Sequence, residues 1–458
     1  MSKRISCDAR CGHTARCNCR HTARCRHTAR CSCRHTAARR RGFTAVELIA
    51  AVTASLVVAA GAYSLARTSL TVFQQEARMN GAQFSNIMGM HRLASDAKRA
   101  GYQSSPDPAT DPASMCTVPP APLDTLLTAV RITDSTAGGG VPNSPNYPAW
   151  PVAVTDPEND RAPDRVRFAG NYTTSERFKL ANVVANTIAV ECDQLSVQRV
   201  FNNAQTGGVG FCAMFPPGAV VRVVNPAGKA QFVPVVGCAE VPNGVISYTS
   251  LTLTVAGLNA GGCTTDVSQG YLNPVDVVDY FLTNLNASAA DNTLLGLPNS
   301  ITNPSSLLPA DAFGFEDPNL AGITGEPSRM TLVRRRLSAT GLPIVASGEI
   351  IADYVADLKF SARVATPGAA GLTQIDFPGS LNLPAGELNR VRTLGIRLTT
   401  RARNPDRAEG PLPAPGPDAP LTLFHVFPTG SVARYKYARV RTMFMEVNLP
   451  NLGAYLPW

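Results

Sequence analysis

A chain of 458 residues has room for two or three folding units, and a formal charge of +9 ordinarily points to a nucleic-acid or membrane-surface partner. The distribution of that charge removes the first of these. Residues 1–42 hold twelve Lys or Arg against one acid, Asp8, so removing this +11 leaves −2 for residues 43–458, which offer no charge argument for binding nucleic acid.

The basic N-terminus, residues 1–42, also carries a near-repeat: CGHTAR at 11–16, CRHTAR at 19–24 and again at 25–30, and CRHTAA at 33–38. Thiolate and imidazole are the usual ligands of zinc, so one reading of this tract is a metal site. The other, which is preferred, is low-complexity sequence without the apolar residues to build a core. No cofactor is assigned, and the segment is set aside from fold reasoning as a leader.

Residues 41–66, RGFTAVELIAAVTASLVVAAGAYSLA, turn abruptly apolar, and from 44 to 66 the only charge is Glu47. At about 1.5 Å per residue, a helix over 44–66 crosses a hydrocarbon core of roughly 30 Å. The arginines before it keep the N-terminus cytoplasmic and put the rest of the chain outside. A carboxylate near the start of such a helix costs up to about 2.5–3.5 kcal/mol, depending on depth, so something should compensate it.

Arg39, Arg40 and Arg41 followed by GFTAVE resemble the processing site of type IV prepilins: a basic leader, Gly, Phe, then Glu as fifth residue of the mature chain. The resemblance implies cleavage between Gly42 and Phe43 by a prepilin peptidase, N-methylation of Phe43, and a role for Glu47 in assembly with other pilin subunits. The alternative is an ordinary signal anchor whose Glu47 snorkels to the interface.

After residue 66 the helical pattern continues, with Leu65, Ser69, Val72, Phe73, Glu76 and Met79 stepping three and four residues apart on one expected face. Gly81 and Gly89 predict weakening or bending. The run closes with LASDAKRAGY, residues 93–102, where Lys98 and Arg99 suit a helix C-terminus and Gly101 the residue beyond it. This decapeptide resembles the helix-ending segment of PilW-like minor pilins, which sets an N-terminal helical unit at 43–102.

Residues 103–163 are rich in Pro, Asp, Ser, Gly and Ala and are read as loop or linker. Asp156, Glu158 and Asp160 have the alternate spacing of a calcium loop but lack its turn glycine, so they are read as a solvated acidic turn. Residues 164–458 are expected to form a β-rich head. Strands are predicted at 164–170, 186–192, 219–224, 230–236, 249–255 and 275–282, and AVVRVV-NPAGK-AQFVPVV reads as a hairpin. Residues 284–328 form an expected insertion.

In DLKFSARV, Leu358, Phe360, Ala362 and Val364 share one face and Asp357, Lys359, Ser361 and Arg363 the other; RVRTLGIRLTTRAR alternates likewise around Leu394, Ile396 and Leu398. One buried and one wet face fit an antiparallel sheet. The closing segment 433–449 alternates less regularly and is expected to be bulged or covered on both faces. Arg334, Arg335 and Arg336 are read as a solvated face with one inward stem, the alternative being contact with an anionic partner. The order of these pieces also resembles PilW-like pilins and the related minor pseudopilin J of type II secretion.

Beyond the leader the histidines are His91 and His425, and HExxH, GxSxG, P-loop and CxxC patterns are missing, so no enzyme is expected. On the oxidising side of an inner membrane, the five remaining cysteines allow two disulfides and one thiol. At least one disulfide is expected among Cys192, Cys212, Cys238 and Cys263, with Cys116 as the odd thiol. The expected fold class is α+β and type IV pilin-like: a long N-terminal helix, membrane-spanning in its first half, then a large antiparallel β-rich head. The resemblance implies a minor pilin of a type IV pilus, inserted in the inner membrane as a precursor and then part of the pilus. A minor pseudopilin of type II secretion and a monomeric membrane-anchored adhesin are the alternatives.

Overall fold

The computed structural model describes residues 44–109, 111, 115–133, 163–243, 247–258, 270–283, 330–345, 347–365, 372–376, 390–403, 405, 407, 421–426 and 437–453. The leader, the acidic triplet at 156–160 and the expected insertion 284–328 lie outside these residues. The chain divides into two compact units, Met1–Thr68 and Ser69–Trp458.

One helix, α1 (Ala45–Arg99), begins in the first unit and ends in the second. Its sequence is rich in Ala and free of Pro, as an uninterrupted helix requires. It is long and apolar enough to cross a membrane, and Val46, Leu48, Ile49, Val52, Leu56, Val57 and Val58 are all exposed. A helix apolar and exposed all round is suited to an apolar medium.

Within the second unit, α1 packs through a face other than the expected one. Val72 and Phe73 are exposed, and the buried residues include Ala82, Asn86, Met90, Leu93, Ala94, Asp96, Ala97 and Ala100. The predicted face followed the large side chains, whereas close packing on a sheet selected the small ones. Gly89 is one of these: a Cβ there would lie 2.9 Å from Leu398 Cδ2 and 3.1 Å from Ala352 Cβ, so its glycine serves close approach and not a bend. The helix ends at Arg99, and Gly101 takes φ +74°, the left-handed conformation of a helix stop.

The head begins earlier than the linker reading allowed. Ser104, Ser105 and Asp107 are buried, and α2 (Leu123–Leu126) leads into β1 (Val130–Thr133), which pairs antiparallel with β2 (Arg165–Gly170). Next come β3 (Phe178–Val184), β4 (Thr187–Val190), α3 (Leu195–Gln205), α4 (Phe211–Met214), β5 (Val220–Val224), β6 (Ala230–Asn243), β7 (Ser247–Val255) and β8 (Tyr271–Thr283). The two short helices and β3 were not expected; the predicted hairpin is β5–β6, closed by Val224↔Ala230. The chain continues with β9 (Thr331–Leu337), β10 (Glu349–Asp353), β11 (Val355–Ala365), β12 (Leu372–Asp376), β13 (Val391–Arg401), β14 (Leu423–His425), β15 (Tyr437–Asn448) and α5 (Pro450–Gly453).

Among the described residues these strands make a 10-stranded and a 5-stranded sheet, all of whose strand pairings are antiparallel. Strand β8 is the hinge of the larger one. Its first residues pair with β3 and β5, which closes β8-β3-β4-β7-β6-β5 into a ring around Phe178, Phe201, Phe211 and Phe215. Its last residues pair with β2 and β9. The smaller sheet runs β12-β11-β13-β15-β14.

Leu358, Phe360, Leu394, Ile396 and Leu398 from that sheet, Phe168, Tyr280 and Leu332 from the larger one, and Met90, Leu93 and Ala97 of α1 share one core. Each such Leu or Phe contributes about 1.5–3 kcal/mol by burial. The opposite face of β11 is less wet than its alternation suggested. Asp357 and Lys359 are buried, through Lys359–Asp164 (3.3 Å) and Arg397–Asp357 (3.3 Å). Strand β15 is neither bulged nor covered on both faces: it pairs with β13 in unbroken register, and Phe444 is 60% exposed.

Candidate functional site

The two ends of α1 carry Glu47 and the LASDAKRAGY segment, and each end belongs to a different unit. At the first, Glu47 occupies the third helical position, and its carboxylate accepts from the Thr44 N–H (3.0 Å) and the Thr44 hydroxyl (3.1 Å). The Glu47 N–H donates in return to Thr44 Oγ1 (3.3 Å). This is a reciprocal capping box, which satisfies donors that a helix N-terminus leaves open. The Thr-x-x-Glu spacing is the sequence signal of this box. Gly42 and Phe43, the expected cleavage and methylation positions, lie outside the described residues.

The last turns of α1 are held on the head by polar contacts. Asn86 donates through Nδ2 to Leu398 O (3.1 Å) and Arg441 O (2.9 Å), tying the helix to β13 and β15 at once. One turn before the helix stop, Asp96 is buried and accepts from Tyr280 Oη (2.7 Å) and Arg334 Nε (2.7 Å). Tyr172 Oη reaches the Asp96 carbonyl (2.9 Å), and Asn451 Nδ2 caps the Lys98 carbonyl (2.9 Å). Burial and the charge of Asp96 push the phenols of Tyr172 and Tyr280 well above their usual range. Burial would weaken the charge on Arg334, and Asp96 more than restores it.

The arginine run is where the sequence reading is corrected most plainly. Arg334, Arg335 and Arg336 do not form a solvated face: they meet Asp96, Asp279 and Asp276 respectively. Asp279 also holds Arg165 in a two-pronged contact, at 2.6 Å to Nε and 2.5 Å to Nη2. Burial alone would raise the Asp279 pKa, but Arg165, Arg335 and Arg167 together hold its carboxyl well below the usual carboxylate range. Every acid in these pairs is distant in sequence from its arginine, so no local pattern announced them.

Cys212 and Cys238 form a disulfide with Cα atoms 5.4 Å apart. Cys116 is disulfide-bonded as well, and among the described residues Cys192 is a free thiol. The expectation that Cys116 would be the odd one is therefore overturned. Its segment is not the loose linker assumed for it: Met115 bridges Ala230, and Cys116 N–H donates to the Ala230 carbonyl (2.9 Å).

His91 is exposed on α1 and His425 is buried against the ring of Tyr437, at 4.9 Å. No group of three or more His, Cys, Asp or Glu able to hold a metal occurs among the described residues. The arrangement is suited to anchoring and orienting a helix. No protein-family model, curated protein or solved structure matches the chain.

Proposed function

We propose that this chain is a minor-pilin-like structural subunit of a type IV pilus, with an inner-membrane precursor released by cleavage between Gly42 and Phe43. The observation that carries the reading is α1 itself. The large apolar residues of its first unit are exposed among the described residues, while in the second unit Asn86 and Asp96 lock it to a β-rich head. Leu70, Phe73, Ala77, Phe84 and Met88 recur at helical spacing, are all exposed, and lie opposite the packed face. A helix apolar away from its own head is what packing beside other subunits' helices would use. A minor pseudopilin of type II secretion would use the same features.

A second reading, a monomeric membrane-anchored adhesin, draws on the Thr44–Glu47 capping box, because a cap accounts for Glu47 without any neighbouring subunit. Glu47→Gln separates the two, since Gln serves the capping box as Glu does but carries no charge. The assembly reading expects the variant to insert and be cleaved normally, with Phe43 as mature N-terminus, yet to fall at least severalfold in immunoblots of sheared filaments. Incorporation of the variant at wild-type levels would remove Glu47 from assembly, and unsubstituted protein found only in the membrane fraction would favour the adhesin.

A further inference from the structure

Among the described residues, strand β15 leaves an open edge. Its odd-numbered residues turn their peptide groups toward β13, as the Ala402 N–H to Arg439 O bond (2.8 Å) and the unbroken register from Val440↔Arg401 to Asn448↔Thr393 fix. The even-numbered residues turn theirs the other way. There Ala438 meets Phe424 of β14, but the pairing ends at Leu423↔Arg439. The outward peptide groups of Val440, Thr442, Phe444, Glu446 and Asn448 have no hydrogen-bond partner among the described residues.

Proteins ordinarily blunt such an edge with prolines, bulges or short strands. The part of β6 beyond Val235, paired with β7, has both register shifts and Pro242. β15 has no proline and no register shift, and it sets an exposed Phe444 at the middle of the edge, over Gly395.

Where the edge begins, a cleft of about 430 Å³ opens between α1 and the sheet, lined by Met79, Arg407, Thr422, Leu423, Arg439, Val440 and Arg441. No acidic side chain is among its lining residues. A strand added antiparallel to β15 would run from Asn448 toward Val440 and stop there, because Leu423 already occupies the next position. Its C-terminus would fall at the arginines. A parallel strand would bring an ammonium to them instead.

We propose that β15 and this cleft form a docking site for the extended C-terminal tail of a partner protein, which adds to the sheet as an antiparallel strand and places its terminal carboxylate on Arg407 and Arg441. Main-chain hydrogen bonds along the edge give the affinity, Phe444 favours an apolar side chain beside it, and the arginines select a free chain end. The site stands apart from the reading of Glu47 and α1: it would serve a pilus subunit or a solitary anchored protein equally.

The test uses the full chain extracted in detergent and a fluorescent peptide of alternating Thr and Val, blocked at its N-terminus, as free acid or as C-terminal amide. The free acid should bind about tenfold or more tightly than the amide, as a charge-assisted contact implies. Arg441→Gln should erase most of that difference while leaving amide binding unchanged. Thr442→Pro removes an outward N–H at an edge position where proline is tolerated, and should abolish binding of both peptides with the head still protease-resistant. Equal binding of acid and amide, no binding of the acid, or undiminished binding to a folded Thr442→Pro protein would each overturn the proposal.

Discussion

Two stretches of α1 show what different surroundings ask of one helix. From Val46 to Leu65 the large side chains are exposed, and the hydroxyls turn back on the helix itself: Thr53 to Ile49 O (3.0 Å), Ser55 to Val52 O (2.8 Å). From Ala82 to Ala100 the buried side chains are mostly small, and the polar ones among them, Asn86 and Asp96, bond to residues hundreds of positions away. A segment facing an apolar medium needs only bulk hydrophobicity and internally satisfied hydroxyls. A segment facing a sheet needs closeness and specific partners, so the stretch that hydropathy alone marks as important is the one with the fewest constraints on individual residues.

The sharpest way to break this contrast is to remove a partner from the sheet-facing stretch. Asp96→Ala leaves Arg334 and Tyr280 buried without their acceptor, and breaking such a pair costs about 3–5 kcal/mol. The expected result is a head that unfolds earlier in urea or falls to protease, while membrane insertion of the first stretch is unchanged. Alkaline-carbonate extraction together with limited proteolysis reads both.

A smaller effect sharpens the account of the buried charges on the larger sheet. Asp279 has a folded-state pKa lowered by Arg165, Arg335 and Arg167 against the opposing effect of burial. A lowered folded pKa stabilises the head above the unfolded value of about 4, and that contribution is lost as pH falls below it. Urea midpoints from pH 7 down to pH ~2.5 should drop for the wild type below pH ~4, and Asp279→Asn should show a lower plateau with a shallower acid fall. Parallel curves for the two proteins would mean that Asp279 does not govern the acid limb.

These contacts also mark how far the sequence could be read. The membrane-length helix, its stop at Gly101, the β5–β6 hairpin and the inward faces of β11 and β13 follow local periodicity, and periodicity is visible in one dimension. Helix α3 escaped because it is short, lacks a side-chain cap at Gln194, and buries only Ser196, Val197, Val200 and Phe201. The arginines at 334–336 escaped for a different reason: solvated and paired arginines look alike until the fold supplies the acids, and theirs come from α1 and β8. Asp107, expected in a linker, is buried because β1 draws the chain before it into the larger sheet.

The smallest effect concerns two glycines that the sequence presents as equivalent. Both interrupt α1 in its second unit, and helix propensity alone assigns each a penalty of up to about 1 kcal/mol relative to Ala. Around Gly81 nothing lies within 4 Å of an added Cβ, so Gly81→Ala should stabilise the head by about 0.5–1 kcal/mol. Around Gly89 the added Cβ meets Leu398 Cδ2 at 2.9 Å and the Cβ of Ala352 at 3.1 Å. The leucine tip can shift, but Ala352 is fixed to its strand, so the helix must lift and strain Asn86 and Asp96 on either side. Gly89→Ala should therefore destabilise by about 1–3 kcal/mol despite its better propensity. Opposite signs for one substitution at two sites, read as urea midpoints under one set of conditions, are what separate a helix seated on a sheet from one that merely continues past it. If both variants gained stability, the close approach at Gly89 would be wrong.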